Sequence, residues 1–203
     1  MVSPTSSSAK ASSAKNDDVR GRLIEAAVEA FAERGFHGTS TRDIAAAAGL
    51  SPAAVYVHYR SKTELLDEIS VAGHRRALAL IQDAVATHSA PRDQLTAVVH
   101  DFAVHHATAH AAGRVVNYEL AALSPDQAPA IHDLRRQINH ELRALVEAGV
   151  ADGSFDCPQP RIAATALLSL GIDIARWYRE DGSLSPEELG DAYAELAQRI
   201  VGA

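Results

Sequence analysis

The sequence predicts an all-α fold of about nine helices, with a three-helix unit at the N-terminus and a larger helical body behind it. Three observations carry this. Apolar residues make up 47% of the 203 residues and aromatics only 5%, and Ala and Leu, which lose little freedom in a helix, dominate the apolar set. Apolar positions recur at helical spacing, and no run alternates with the period of a strand. Helix-start and helix-stop residues punctuate the periodic runs.

The elements follow in order. Residues 1–16, MVSPTSSSAKASSAKN, are polar and of low complexity, and a disordered tail is expected there. Lys10 and Lys15 would let that tail reach a DNA minor groove as a basic arm. Order is expected from Asp17 or Asp18. Ile24, Ala27, Val28 and Phe31 mark one buried face of a first helix, which Gly35 ends through a left-handed C-cap. Thr39 or Ser40 caps a second helix, Thr41 to Ala48, and Gly49 breaks it. Ser51 and Pro52 open a third helix to about Tyr59. Ser61, with Glu64 three residues on, has the capping-box spacing and opens a long helix from Lys62 to about Thr87. Further helices are expected from Pro91 to about Ala112 and from Arg114 to Leu123. An apolar stripe from Ile131 to Val146 ends before Gly149, and the last two helices run over 160–178 and 186–201. The chain divides into a tail (1–16), a three-helix domain (17–62) and a body (63–203).

Charge is unevenly placed. The net charge is −7. Residues 1–65 carry eight Lys/Arg against seven Asp/Glu, and residues 66–203 carry eleven against nineteen. An acidic body repels phosphate, so contact with nucleic acid is confined to the N-terminal part. No apolar run is long enough to cross a membrane, and no apolar signal segment opens the chain. With a single cysteine, Cys157, the expected location is cytoplasmic. There is no Gly-rich phosphate loop, nucleophile elbow or metal-binding cysteine set. Neither an enzyme nor a cofactor is expected.

The segment TRDIAAAAGLSPAAVYVHY (Thr41–Tyr59) carries the function. Ala45 is small where two helices touch. Gly49, four residues on, tolerates positive φ at the turn. Val55, six further, pins the second helix to the core. That spacing is a helix-turn-helix, whose second helix enters the major groove. Val55 and Tyr59 face inward with Ile44. Ser51, Pro52, Ala53, Ala54, Tyr56, Val57 and His58 face outward. Tyr56 and His58 donate to phosphates, Lys62 adds charge beside free helix N–H groups, and Thr41 and Arg42 open the preceding helix within phosphate reach. No residue here makes a bidentate Arg–guanine pair; Ala53 and Ala54 offer apolar contact only.

Six spaced blocks carry a family resemblance: Arg22-Leu-Ile-Glu-Ala-Ala, Phe31-Ala-Glu-Arg-Gly35, Thr39-Ser-Thr-Arg-Asp-Ile-Ala45, Gly49-Leu-Ser-Pro, Tyr56-Val-His-Tyr59 and Ser61-Lys-Thr-Glu-Leu-Leu66. Over about residues 19–67 the chain resembles the N-terminal domain of TetR-family regulators. The resemblance implies a homodimer that reads a palindromic double-stranded operator, and a helical body that dimerises and binds a small molecule. It implies phosphate contacts at Thr41, Tyr56, His58 and Lys62, and base-edge neighbours at Ser51, Ala53, Ala54 and Val57. One departure is Tyr59, where Phe is commoner.

In the body, the helices over 160–179 and 186–201 are expected at a dimer interface, with Ala163, Ala164, Leu167, Leu168, Gly171 and Ile172 packing against a partner. A pocket for a lipophilic effector is expected from His106, Asn117, Tyr118, Leu120, Ile138 and Trp177. His106 and His110, placed on one helix four residues apart, have a spacing that suits zinc, but no ligand set completes it, and pocket or surface roles are favoured for His100, His105, His106 and His110. The segment Arg176-Trp-Tyr-Arg179, with Asp181-Gly-Ser-Leu-Ser-Pro186, is similar to members that sense acyl-CoA thioesters, which implies CoA phosphates on Arg176 and Arg179. The expected function is a repressor released by its ligand. An effector-independent DNA-binding protein and an activator are the alternatives.

Overall fold

The computed structural model describes residues 6–203, with side chains from Asn16 onward. Nine α-helices and no strand occur among the described residues. They are α1 (Ser6–Arg34), α2 (Thr41–Ala47), α3 (Pro52–His58), α4 (Lys62–Thr87), α5 (Pro91–Thr108), α6 (His110–Tyr118), α7 (Ala128–Ala151), α8 (Pro160–Trp177) and α9 (Pro186–Val201), with one 3₁₀ turn at Leu120–Ala122. The expected start at Asp17 gives way to Ser6, because Ala and Lys residues extend the helical run toward the N-terminus. The side chains of Lys10 and Lys15, the expected minor-groove arm, lie outside the described residues.

Capping explains the short helices. The Ser40 side chain accepts from the Asp43 backbone N–H, and Asp43 accepts in return from the Ser40 N–H at 2.9 Å. Ser51 caps α3 with Pro52 in the first turn. Ser61 accepts from the Glu64 N–H, but the Glu64 carboxylate takes the N–H of Arg60 at 2.6 Å rather than that of Ser61. Each such cap contributes about 1 kcal/mol to a helix start. Gly35 and Gly49 hold φ of 72° and 66°, the left-handed backbone the two turns need.

Further boundaries differ from expectation, among them the helix expected from Arg114 to Leu123, which runs from His110 to Tyr118 and gives way to the 3₁₀ turn. One helix was expected from Pro91 to about Ala112. It ends at Thr108 instead, because Ala109 leaves helical geometry (φ −103°, ψ 35°). His110 therefore begins α6 and does not stand one turn above His106. Gly149, expected to follow the helix end, lies within α7. A side chain there would strike the Phe155 ring, 2.2 Å from an ideal Cβ, so glycine permits the chain after α7 to fold back.

Two cores result. Leu23, Ala27, Phe31, Ile44, Ala45, Val55, Tyr59, Leu65 and Leu66 form the N-terminal core, joined by Val115 and Val116 of α6. Ile81, Leu95, Val98, Phe102, Leu142, Val146, Ala164 and Leu167 centre the core of the body. Burying each large apolar side chain stabilises by roughly 1.5–3 kcal/mol. Helix α4 runs through both cores and α6 bridges them, so the two parts share a wall.

Candidate nucleic-acid interface and internal cavity

The exposed face of α2 and α3 is built from what the core leaves over. Ile44, Ala45 and Val55 are fully buried and Tyr59 is 1% exposed. This fixes the roll of both helices and turns Tyr56 (57% exposed) and Val57 (78%) outward. Arg42, Ser51 and Ala53 are exposed beside them, and Thr41, Ala54 and His58 are half-buried. The Tyr56 hydroxyl and Thr41 Oγ1 lie 3.1 Å apart, which ties the start of α2 to α3. Thr41, Tyr56, Arg60 and Lys62 line a shallow hollow with His37 and Ser40.

Lys62 behaves differently from expectation. Its Nζ donates to the carbonyls of Phe36 (2.7 Å) and Thr39 (2.9 Å), and it stands 4.3 Å above the centre of the Phe36 ring. Two of three ammonium donors are therefore spent holding the α1–α2 loop. Sequence spacing did not reveal Arg22, whose guanidinium donates to the Ala48 carbonyl at the end of α2 and screens the negative end of that helix. Nor did it reveal the tie on Tyr59. Its hydroxyl donates to Glu68 Oε1 at 3.2 Å, and Arg20 lies 4.8 Å over its ring while pairing with Glu68 at 2.5 Å. The hydroxyl that a Phe would lack thus has a partner. Burial, with Glu68 nearby, pushes the phenol up to about 12.

Behind the interface lies a cavity of about 460 Å³, within the usual ~300–1,000 Å³ of small-molecule sites. Helix α1 contributes Ile24 and Val28. Helix α4 contributes Ile69, Gly73, His74 and Arg76, and α5 gives Phe102, His105 and His106. Ala112, Gly113, Val116 and Asn117 come from α6, Arg135, Ile138 and Asn139 from α7, and Leu168 and Ile172 from α8. Of the expected pocket residues, His106, Asn117 and Ile138 line it. Tyr118, Leu120, Arg176 and Trp177 do not. Tyr118 is 47% exposed and donates to Asp173 at 3.2 Å, and Trp177 is 44% exposed. Arg176 faces Asp173 at 3.7 Å on the surface, and Arg179 donates to the Tyr178 carbonyl at 2.9 Å. Tyr118 follows Asn117 on α6, so when Asn117 faces the cavity Tyr118 is turned about 100° away from it.

Two of the three cavity histidines, His74 and His106, are held in one tautomer. The Nδ1–H of His74 donates to the Ser70 carbonyl (2.7 Å) and that of His106 to the Phe102 carbonyl (2.9 Å). Burial lowers His74, His105 and His106, the last to about 4. At neutral pH they are uncharged. His100 sits apart, against Asp101 (2.9 Å) and Asp191 (3.6 Å). His110 donates to the Ala107 carbonyl at 3.1 Å. No group of three or more possible metal ligands occurs among the described residues.

The small residues expected at a dimer interface lie inside the protomer. Ala163, Ala164, Leu167 and Leu168 are buried in the body core, Ile172 packs partly against it, and Gly171 touches the Phe102 ring. The face of α8 left exposed carries Ile162 (64%), Leu170 and Trp177, with Leu196 exposed on α9.

A family model described as bacterial regulatory proteins of the tetR family matches residues 23–69, and a second, described as the tetracyclin repressor-like C-terminal domain, matches residues 88–201. The chain belongs to the TetR family. It is 30% identical to the HTH-type transcriptional repressor KstR2 of Mycolicibacterium smegmatis over 187 residues, covering 87% of each chain. Among solved structures it is similar to a TetR-family regulatory protein from Rhodococcus RHA1, with 39% identity, 91% and 97% of the two chains covered and a TM-score of 0.85. It is also similar to the ketosteroid transcriptional regulator KstR2 of Mycobacterium tuberculosis, with 26% identity, 91% and 95% covered and a TM-score of 0.83. As a TetR-family member the protein is a DNA-binding transcriptional regulator, and α2 and α3 form its helix-turn-helix. No described helix is long and apolar enough to cross a membrane.

Proposed function

We propose that this TetR-family protein is a homodimeric repressor that leaves a palindromic operator when a small lipophilic ligand fills the cavity. One observation carries the reading. Part of the cavity wall also packs in the DNA-binding core: α1 contributes Ile24 and Val28, α4 Ile69 and α6 Val116. A ligand that moves these walls moves α1, and α2 and α3 ride on α1 through the shared core. Repression is supported by the KstR2 relatives, which are named repressors. The apolar residues exposed on α8 and α9 suit a second copy of the chain. An effector-independent protein is disfavoured, because it has no use for an apolar chamber against its DNA-binding core.

On this reading Thr41, Arg42, Tyr56 and His58 contact phosphates, while Ser51, Ala53, Ala54 and Val57 face base edges. Lys62 offers its one remaining donor and mainly positions the loop. Release requires that the ligand bind the form unfit for DNA more tightly, with a coupling of roughly 1–3 kcal/mol. Binding of the purified protein to DNA fragments from its own genomic neighbourhood, with and without a panel of lipophilic compounds and acyl-CoA thioesters, tests this. A specific complex that one compound dissolves is the expected result. A complex indifferent to every compound would contradict effector release, and a monomer by light scattering would contradict the dimer.

A further inference from the structure

The cavity is apolar along most of its wall, yet two guanidinium groups face it. Arg135 of α7 is half-buried and Arg76 of α4 is exposed at its rim. No Asp or Glu lines the cavity. Neither arginine has a carboxylate within 4 Å among the described residues, although other arginines of the body, Arg136 and Arg143 among them, do. Arg135 is also aimed. Its Nη1 donates to His74 Nε2 at 3.3 Å, and His74 can accept because its own proton is committed to the Ser70 carbonyl. His74 is 3% exposed, so the pair is a built feature of the wall. The three histidines that line the cavity carry no charge at neutral pH, so the positive charge there comes from the arginines alone. With no carboxylate beside them, both guanidinium groups keep N–H donors free for an anion at the cavity. A planar guanidinium matches a carboxylate or phosphate through two parallel N–H donors.

We infer that the effector is an amphipathic anion, an apolar body carrying a carboxylate or phosphate, whose charged head is held by Arg135 and Arg76 while its apolar part lies against Val28, Ile69, Phe102 and Ile138. This rests on the reading of the cavity as the effector site. His74 is a positioning residue for Arg135. The anion has two possible sources, a free acid or the phosphates of a thioester carrier.

Matched probes separate these cases. Calorimetric titration would use dodecanoate against dodecan-1-ol, 1-pyrenebutyrate against 1-pyrenebutanol, and dodecanoyl-CoA. The protein would be wild type, Arg135→Gln, Arg76→Gln and, as a control outside the cavity, Arg136→Gln. Melting temperature and operator binding without probe check that each variant folds. The expected result is an acid that binds at least tenfold more tightly than its alcohol, with the preference lost in Arg135→Gln, reduced in Arg76→Gln and kept in Arg136→Gln. If only dodecanoyl-CoA binds and the same two variants weaken it, the anion is the carrier phosphate and the assignment stands. Acid and alcohol binding alike, or a preference that survives both cavity variants, would overturn the anionic head while leaving the effector cavity in place. No binding by any probe to a wild-type protein that still holds its operator would sink both.

Discussion

The carboxylate of Glu119 accepts a hydrogen bond from the backbone N–H of Phe36 at 3.1 Å, joining the end of α6 to the loop between α1 and α2. Lys62 holds the carbonyl of the same residue. Phe36 is thereby gripped from the body on one side and from α4 on the other. This adds a polar link between α6, whose Val116 and Asn117 line the cavity, and the loop that enters the helix-turn-helix. Replacing Glu119 by Ala removes the acceptor and is expected to cost about 1 kcal/mol of stability. It should also reduce the concentration dependence of ligand-driven operator release, while Glu119→Gln, which keeps a carbonyl acceptor, should lie between the two. Titrations of operator complexes against the effector would show it, and unchanged release in Glu119→Ala would rule out a role for this link.

Lys62 discriminates a structural role from a phosphate role. If its ammonium mainly holds the Phe36 and Thr39 carbonyls, Lys62→Met lowers the melting temperature by a few degrees, corresponding to about 1–2 kcal/mol at roughly 2–4 °C per kcal/mol. A pure phosphate contact predicts an unchanged melting temperature and a shallower salt dependence of DNA binding. Calorimetry and salt titration on one variant decide the matter.

Tyr56→Phe removes the hydroxyl that meets Thr41 and faces outward. An exposed hydrogen bond contributes little to folding, so stability should move by less than about 0.5 kcal/mol. Operator affinity should fall about 3- to 10-fold, the equivalent of one ordinary hydrogen bond. Equal affinity for the variant and the wild type would mean that this hydroxyl does not reach the backbone of the DNA.

Gly49→Ala tests the turn. Gly49 has φ 66°, and a Cβ there would come within 3.1 Å of the Arg22 guanidinium that caps α2. Strain and crowding act in the same direction, so a loss of about 1 kcal/mol or more is expected. Chemical denaturation measures it, and a neutral effect would argue against the tight turn.

Acid should loosen the body. Burial holds His106 at about 4 in the folded protein, against about 6.5 when unfolded. The unfolded chain therefore binds more protons between those values, and stability falls as pH drops through that window, while remaining level above it. The whole effect amounts to roughly 3 kcal/mol at most. His106→Gln, which cannot titrate, should flatten part of the slope between pH 6.5 and 4, and an unchanged slope would place the titration elsewhere.

What the sequence determined is local. Ser40, Ser51, Ser61 and Ser185 announce helix starts because a hydroxyl followed by a matching N–H acts over three residues. Gly35 and Gly49 announce stops, and the spacing Ala45, Gly49, Val55 sets which face of α3 remains outside. The helix-turn-helix was legible because its geometry is written within nineteen residues. The body was legible only as helices. Whether Leu167 and Gly171 face a partner or Phe102, and whether Tyr118 enters the cavity or meets Asp173, depends on how each helix is rolled, and the packing of distant elements decides that. The cavity is the clearest case. Arg135 and His74 are 61 residues apart, and neither periodicity nor motif brings them together. Only the crossing of α4 and α7 places an oriented cation on an apolar wall, and only tertiary packing sets Val116 of α6 against both that wall and the DNA-binding core.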